Sequence, residues 1–155
     1  MLNLIRTDAD HPDFVRLVAA LDAHLAVTDE DEHDFYDQFN KLDAIRHVLV
    51  GYADGVAVAC GAFKPFDQGT VEIKRMYTAP NYRGRGLAAE LLDGLEAWAR
   101  AEGYGRAVLE TGKRQPYAIR LYEKQGYGRM ADNYGPYVGM DNSVCMEKSL
   151  TDGQP

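Results

Sequence analysis

Two arginines and two glycines in one short segment form a candidate anion site. The segment R-G-R-G-L-A, residues 83–88, leads into a run with the apolar spacing of a helix. The first N–H groups of a helix have no partner within it, and the helix dipole adds partial positive charge there. Glycines leave these groups accessible, and the arginines add full charges. The segment therefore predicts a site for a phosphate or pyrophosphate.

The glycine pair has a simpler interpretation, in which it only permits a tight connection between a strand and a helix. Two better-known phosphate motifs do not apply, because a Rossmann fingerprint needs a third glycine and a P-loop needs Gly-Lys before Ser or Thr. The combination of Arg83, the small Ala88, an apolar strand before and a long helix after favours the anion site.

The elements on either side must position this segment. Val71–Thr78 is a short apolar run that ends before Pro80, since proline cannot donate to a strand ladder. From Leu87, apolar residues recur at helical spacing with charged residues between them. Ala107–Glu110 then forms a short buried strand. The order strand, helix, strand predicts that the two strands lie parallel through a right-handed crossover.

The rest of the chain supplies further strands and helices. The sequence predicts a strand at Leu2–Arg6, a helix opened by Pro12, a second helix after the acidic run Thr28–Asp34, strands at His47–Tyr52 and Val56–Phe63, a helix opened by Pro116, and strands at Tyr127–Met130 and Ser143–Lys148. Asp54-Gly55 is a hairpin turn signal, so the strands that flank it should be antiparallel. The prediction is one α/β domain over residues 1–150, with a tail at 151–155.

Composition narrows the function. The 155 residues carry a net charge of −7, which argues against a general nucleic-acid binder. Residues 1–60 hold four basic and twelve acidic residues, so most of the acidic excess lies away from the anion site. No leader or membrane-spanning run is evident, and the four histidines are scattered, so we expect a cytoplasmic protein without membrane contact or a metal. Cys60 and Cys145 lie in apolar runs, and we expect both to be buried, reduced thiols.

Two motifs resemble those of the GNAT N-acetyltransferase family. Residues 83–88 are similar to its acetyl-coenzyme A motif Q/R-x-x-G-x-G/A, with Arg83, Gly86 and Ala88 on the fixed positions. A-I-R-L-Y-E-K-Q-G-Y, residues 118–127, is similar to A-x-x-L-Y-x-x-x-G-F. The resemblance covers nearly the whole chain. It implies the GNAT fold: a central, mostly antiparallel sheet with one splayed parallel pair, flanked by helices.

The resemblance also implies a reaction, the direct transfer of the acetyl group of acetyl-CoA to a primary amine. In the family, the backbone of the strand before the motif pairs with pantetheine, the motif binds the pyrophosphate, and the tyrosine of the second motif protonates the departing thiolate. Gln115 stands where the family commonly has asparagine. The implied cofactor contacts are Met76, Tyr77, Thr78, Arg83, Gly84, Arg85, Gly86, Leu87, Ala88, Gln115 and Tyr122. Tyr122 is the implied catalytic acid.

Two carboxylates are candidates for the general base that deprotonates the amine. Glu72, eleven residues before Arg83, matches the general-base glutamate of the histone-acetylating branch of the family. Glu110 ends the next strand, and the carboxyl end of a parallel strand faces the ligand crevice. Either carboxylate could instead pair with a neighbouring cation and be structural.

The acceptor stays open at this stage. Family resemblance places its recognition around Thr28–Phe39 and Asp132–Asn142, where the acidic residues suit any cation or simply favour a helix start. Tyr134 and Tyr137 either line the acceptor pocket or cover apolar surface. The acceptor is a small molecule or a peptide or protein amine, the default assembly is a homodimer, and the rival function is a catalytically silent acyl-CoA-binding module.

Overall fold

Seven strands form one sheet in the computed structural model, which describes residues 2–29 and 45–151. The strands are β1 (Asn3–Thr7), β2 (His47–Ala53), β3 (Val56–Asp67), β4 (Thr70–Thr78), β5 (Arg106–Gly112), β6 (Gly128–Arg129) and β7 (Ser143–Ser149), in the spatial order β1-β2-β3-β4-β5-β7-β6. The helices of this part are α1 (Pro12–Asp29), α2 (Leu87–Ala101) and α3 (Pro116–Lys124), with single 3₁₀ turns at Pro80–Tyr82 and Gly135–Tyr137.

Strands β1 to β4 form an antiparallel meander, as the turn signals predict. Asp54 and Gly55 have φ angles of 52° and 81°, the left-handed pair that a tight hairpin turn requires. Gly69, with φ of 81°, lies in the turn between β3 and β4. These local turns set the order of the strands up to β4, which leads into residues 83–88, the predicted anion site.

The parallel pair is short and then opens. β4 and β5 pair only at Thr70↔Arg106, Val71↔Ala107 and Glu72↔Val108. Beyond Glu72, β4 continues to Thr78 beside β3, while β5 continues to Gly112 beside β7. The predicted parallel arrangement is confirmed, and the two strands leave a gap in the middle of the sheet.

The helices pack on opposite faces of this sheet. Because successive strand residues point to opposite faces, Leu49 belongs to one apolar cluster while Val48 and Val50 belong to the other. The first cluster contains buried residues of α2 and α3, such as Leu91 and Ile119. The second cluster contains Phe14, Leu17 and Val18 of α1. The gap between β4 and β5 therefore connects the α1 face with the face of α2 and α3.

The last strands differ from the prediction in extent. β6 is limited to Gly128–Arg129, because Tyr127 turns into the core and its hydroxyl donates to Glu96 Oε2 at 2.8 Å. The helix predicted after the acidic run, together with most of Thr28–Phe39, lies outside the described residues, as do the last four residues of the tail. Cys60 and Cys145 are buried and free, as expected.

Candidate active site

The gap between β4 and β5 opens into a cleft that is lined from both faces of the sheet. Helix α1 contributes one wall, and helix α3 and the end of β5 contribute the opposite one. The lining residues are Leu21, Leu25, Glu72, Ile73, Lys74, Arg75, Met76, Leu109, Glu110, Thr111, Gly112, Gln115, Ala118, Tyr122 and Tyr137. This cleft brings together both candidate bases, Tyr122, Gln115 and Met76. The lining thus includes residues of α1 on one face of the sheet and of α3 on the other.

Residues 83–88, the candidate anion site, have the geometry of an open helix start. Helix α2 begins at Leu87, directly after Gly86, and no side chain caps its first turn. Gly84 and Gly86 have φ angles of 79° and 78°, a region that favours glycine, and an added Cβ would meet nothing within 4 Å at either position. The two glycines are therefore needed for the backbone conformation, which leaves the N–H groups of the first turn free of side-chain cover.

The two arginines of the segment fold back onto the chain that precedes it. Arg83 Nε donates to the carbonyl of Thr78 at 2.9 Å, and its guanidinium lies 5.6 Å from the Tyr77 ring centre. Arg85 donates to the carbonyl of Asn81 at 3.2 Å. Both arginines stabilise the connection between β4 and α2, and their positive charge stays beside the helix start.

Tyr122 reaches the cleft from α3. The side chain is buried and packs edge-to-face on Tyr127 at 5.9 Å between ring centres. Burial raises the pKa of the Tyr122 phenol, and the negative charge of Glu110 raises it further. The hydroxyl therefore stays protonated at neutral pH and remains able to donate a proton.

Glu72 occupies the last paired position before β4 and β5 separate. Its side chain is buried, and Oε2 accepts a hydrogen bond of 2.7 Å from the hydroxyl of Tyr134. The ammonium nitrogens of Lys64 and Lys74 each lie 3.9 Å from a carboxylate oxygen of Glu72. Burial lowers the pKa of Lys74, whereas the charge of Glu72 opposes that shift. Glu72 is thus held in one orientation at the apex of the gap.

Glu110 lies on β5 just past the last pair and is partly buried. Glu110 lines the cleft with Tyr122 and Lys74; its negative charge adds to the rise that burial causes in the pKa of Tyr122, and it opposes the fall that burial causes in the pKa of Lys74. The structure therefore brings both candidate bases to one cleft, with Glu72 on the β4 edge and Glu110 on the β5 edge.

The loop between β6 and β7 closes one side of this cleft. The amide of Asn133 donates to the carbonyls of Tyr137, Met140 and Ser143, each at 3.1 Å. Tyr134 packs edge-to-face on Phe66 at 5.0 Å and donates to Glu72, while Tyr137 lines the cleft. Both tyrosines are buried, so each covers apolar surface and also reaches the site. No local pattern in the sequence indicates the hydrogen bond from Tyr134 to Glu72, since it joins residues 62 positions apart.

Sequence reasoning also missed Arg75. This buried residue lines the cleft and has a left-handed backbone with φ of 61°. In the sequence, Arg75 is one more position in a run of apolar and charged residues. The register shift between Cys60 and Ala62 on β3, which creates a bulge at Arg75, depends on strand pairing and has no local signal.

No helix within residues 2–29 and 45–151 is both long and apolar enough to cross a membrane. No group of three or more His, Cys, Asp or Glu side chains in the same ranges is arranged to hold a metal ion.

The known proteins that this chain resembles are acyltransferases. A model of the acetyltransferase (GNAT) family matches residues 13–127. The chain is 40% identical over 103 residues to an IAA acetyltransferase of Azospirillum brasilense, covering 66% of this chain and 67% of that protein. A crystal structure from Klebsiella pneumoniae, assigned as an acyl-CoA N-acyltransferase, aligns with a TM-score of 0.81 at 33% identity, over 97% of this chain and 98% of that one. A GNAT family acetyltransferase from Elizabethkingia anophelis with acetyl-CoA bound has the same fold, with a TM-score of 0.70 at 17% identity over 96% of this chain and 97% of that one.

Proposed function

Because the chain belongs to the GNAT family of acetyltransferases, we propose that it transfers the acetyl group of acetyl-CoA directly to a primary amine within a ternary complex. The observation that carries the proposal is the cleft through the sheet, where Tyr122 lies on one side and two carboxylates border the gap. A thioester and an amine that enter from opposite faces would meet there. The acetyl-CoA bound to the Elizabethkingia relative supports the choice of donor.

The residues proposed to hold acetyl-CoA are those of β4, the candidate anion site and α3. The N–H groups of residues 83–88 suit the pyrophosphate, since the start of α2 is open and both glycines leave it uncovered. The backbone of Met76, Tyr77 and Thr78 suits the pantetheine amides, because no described strand pairs with this part of β4 on the side of β5. Gln115 and Tyr122 line the cleft beyond, where the thioester would lie.

The proposed chemistry uses three groups of the chain. The ammonium of the acceptor loses a proton to Glu72, directly or through a water molecule, and the amine then attacks the thioester carbonyl. A backbone N–H near Met76 stabilises the negative oxygen of the tetrahedral intermediate. As the carbon–sulfur bond breaks, Tyr122 donates its proton to the thiolate, and the second proton that the nitrogen loses restores the Tyr122 phenol; the products are the acetylated amine and free CoA. Glu110 is the alternative base.

The test is acetyl-CoA-dependent thiol release with a panel of polyamines, amino acids, aminoglycosides and basic peptides, beside calorimetric binding of acetyl-CoA. We expect binding together with thiol release for at least one amine, and an acetylated product by mass spectrometry. Tyr122→Phe is the matched variant, because it removes one oxygen from a buried ring; it should bind acetyl-CoA normally and turn over more slowly.

Two results would contradict the proposal, and they differ in meaning. Binding of acetyl-CoA without turnover of any amine would favour the silent acyl-CoA-binding module. Absence of binding would contradict the assignment of residues 83–88 as the pyrophosphate site.

A further inference from the structure

We propose that the acceptor carries a carboxylate close to its amine, and that Arg75 binds this carboxylate in the cleft between β4 and α1. The inference rests on the proposed amine acetylation and adds the chemical class of the acceptor. The class it names is a free amino acid with an apolar side chain. Arg75 then determines specificity, and it takes no part in the proton transfers.

The first observation is the backbone of Arg75. Pairing between β3 and β4 shifts between Cys60 and Ala62, so β4 carries an extra residue there, and Arg75 adopts a φ of 61°. A residue other than glycine is uncommon in this region, and such conformations concentrate at binding and catalytic sites. Bulges re-aim a side chain out of the regular alternation. Here the re-aimed guanidinium reaches α1, where Nη2 donates to Asp22 Oδ1.

The second observation is the hydrogen bonding of that guanidinium. The Arg75 side chain is 1% exposed, whereas its partner Asp22 is 41% exposed. Among the residues that the structure describes, Nε of Arg75 donates to no acceptor. Buried N–H donors are almost always paired, and a charged one without a partner is costly. The adjacent N–H groups of a guanidinium match the two oxygens of a carboxylate, which is the partner that such a donor fits best.

The remaining walls of the cleft suit the other parts of an amino acid. Glu72 and Glu110 supply negative charge for an ammonium group, and Lys74 also lines the cleft, with its ammonium nitrogen 3.9 Å from Glu72 Oε2. Leu21 and Leu25 of α1 form an apolar wall for a side chain. A ligand with both charges meets complementary partners along this cleft. A polyamine or a lysine side chain carries no carboxylate, so it would leave Nε of Arg75 without an acceptor among the described residues.

The experiment compares acids with their amides. Calorimetry on the CoA-saturated protein measures the affinities of leucine, methionine and phenylalanine against leucinamide, methioninamide and phenylalaninamide. Each amide keeps the amine and the side chain and loses only the negative charge. We expect the acids to bind about ten- to a hundredfold more tightly, the range for hydrogen bonds to a charged group. Equal affinity, tighter binding of the amides, or no binding of any acid would overturn the proposal.

Variants test the role of Arg75 in the same assay. Arg75→Met should abolish the preference for acids over amides, and Arg75→Lys should retain part of it, because lysine keeps the charge but loses the paired donors. Asp22→Asn is the matched control, since it removes the charge that Arg75 pairs with and leaves Arg75 in place; the preference should persist. A preference that survives Arg75→Met would overturn the proposal. If Arg75→Met does not fold, the ratio of acid affinity to amide affinity in Arg75→Lys and in Asp22→Asn tests the proposal instead. An unchanged ratio in Arg75→Lys, or a lost preference in Asp22→Asn, would overturn it.

The readouts separate this inference from the proposed function. Acids that bind preferentially through Arg75, while no amine of the panel is acetylated, would support the carboxylate site at Arg75 and contradict the proposed function. Acetylation of amides or polyamines with no preference for acids would leave the acetyltransferase intact and overturn the inference.

Discussion

Glu72 and Glu110 border the same gap, yet their surroundings differ. Glu72 is buried at the last β4–β5 pair and is oriented by Tyr134 at 2.7 Å, whereas Glu110 lies farther along β5, near Tyr122. A base must hold its carboxylate in a fixed direction, because proton transfer requires hydrogen-bond distance. This favours Glu72.

Substitution of the two carboxylates distinguishes them. Glu72→Gln keeps the size and the acceptor for Tyr134 but cannot take a proton, so kcat should fall by about 10²- to 10⁴-fold. Glu110→Gln should lower kcat less, and acetyl-CoA binding should be unchanged in both. Steady-state rates from pH 6 to 9 are the measurement, with Tyr134→Phe as the control for orientation alone. A larger fall in kcat for Glu110→Gln than for Glu72→Gln would make Glu110 the general base.

The cysteines make a separate prediction about reactivity. Burial raises the pKa of the Cys60 thiol to about 12 and that of the Cys145 thiol to about 11. At pH 8 both are therefore almost entirely protonated, and the thiol form is a poor nucleophile. The folded protein should not react with a thiol reagent at pH 8, and both residues should react in urea. Rapid reaction of the folded protein would contradict the burial of the two thiols.

At the scale of elements, the connection from β4 to α2 was predictable because its signals are local. Pro80 ends the strand, Gly86 adopts the left-handed conformation before the helix, and the apolar spacing after Leu87 forms α2. The same holds for the hairpin at Asp54 and Gly55. The bulge at Arg75 was not predictable, because it arises from how β3 pairs with β4.

The start of α2 can be tested by substituting Gly86. Gly86→Ala places a Cβ at φ of 78°, which costs about 1–2 kcal/mol in strain, and a shift of the backbone would misdirect the N–H groups. We expect a lower thermal midpoint and weaker binding of acetyl-CoA by calorimetry. Gly128→Ala is the control, since an added Cβ there meets nothing within 4 Å and should change neither value. Unchanged affinity in Gly86→Ala would argue against a pyrophosphate at this helix start.

At the scale of the whole molecule, the order of strands and helices in the described residues follows from the sequence, whereas the cleft does not. Its walls come from α1, β4, β5, α3 and the β6–β7 loop, and contacts such as Tyr134 to Glu72 join distant parts of the chain. Periodicity and turn signals are local, so they predict elements and cannot predict such contacts. The expected homodimer stays a prediction that sedimentation can test.

The packing of α2 on the sheet also belongs to this scale. A Cβ at Gly61 would lie 2.5 Å from Met76 Sδ, 2.7 Å from Leu91 and 2.9 Å from Leu95. Gly61→Ala should therefore destabilise the fold by about 1–3 kcal/mol, the usual cost of overpacking a core. Urea unfolding measures this loss in the free energy of unfolding, with Gly128→Ala as the neutral control. A stability equal to that of the unsubstituted protein would mean that α2 packs less closely on β3.

The measurement that tests the central claim most directly varies acetyl-CoA and the best amine together in initial-rate experiments, with mass spectrometry of the protein after exposure to acetyl-CoA alone. Direct transfer in a ternary complex predicts rate lines that intersect and a protein that carries no acetyl group. Parallel lines together with an acetylated protein would show that the acetyl group passes through the enzyme, and would contradict the account of a cleft in which donor and amine meet.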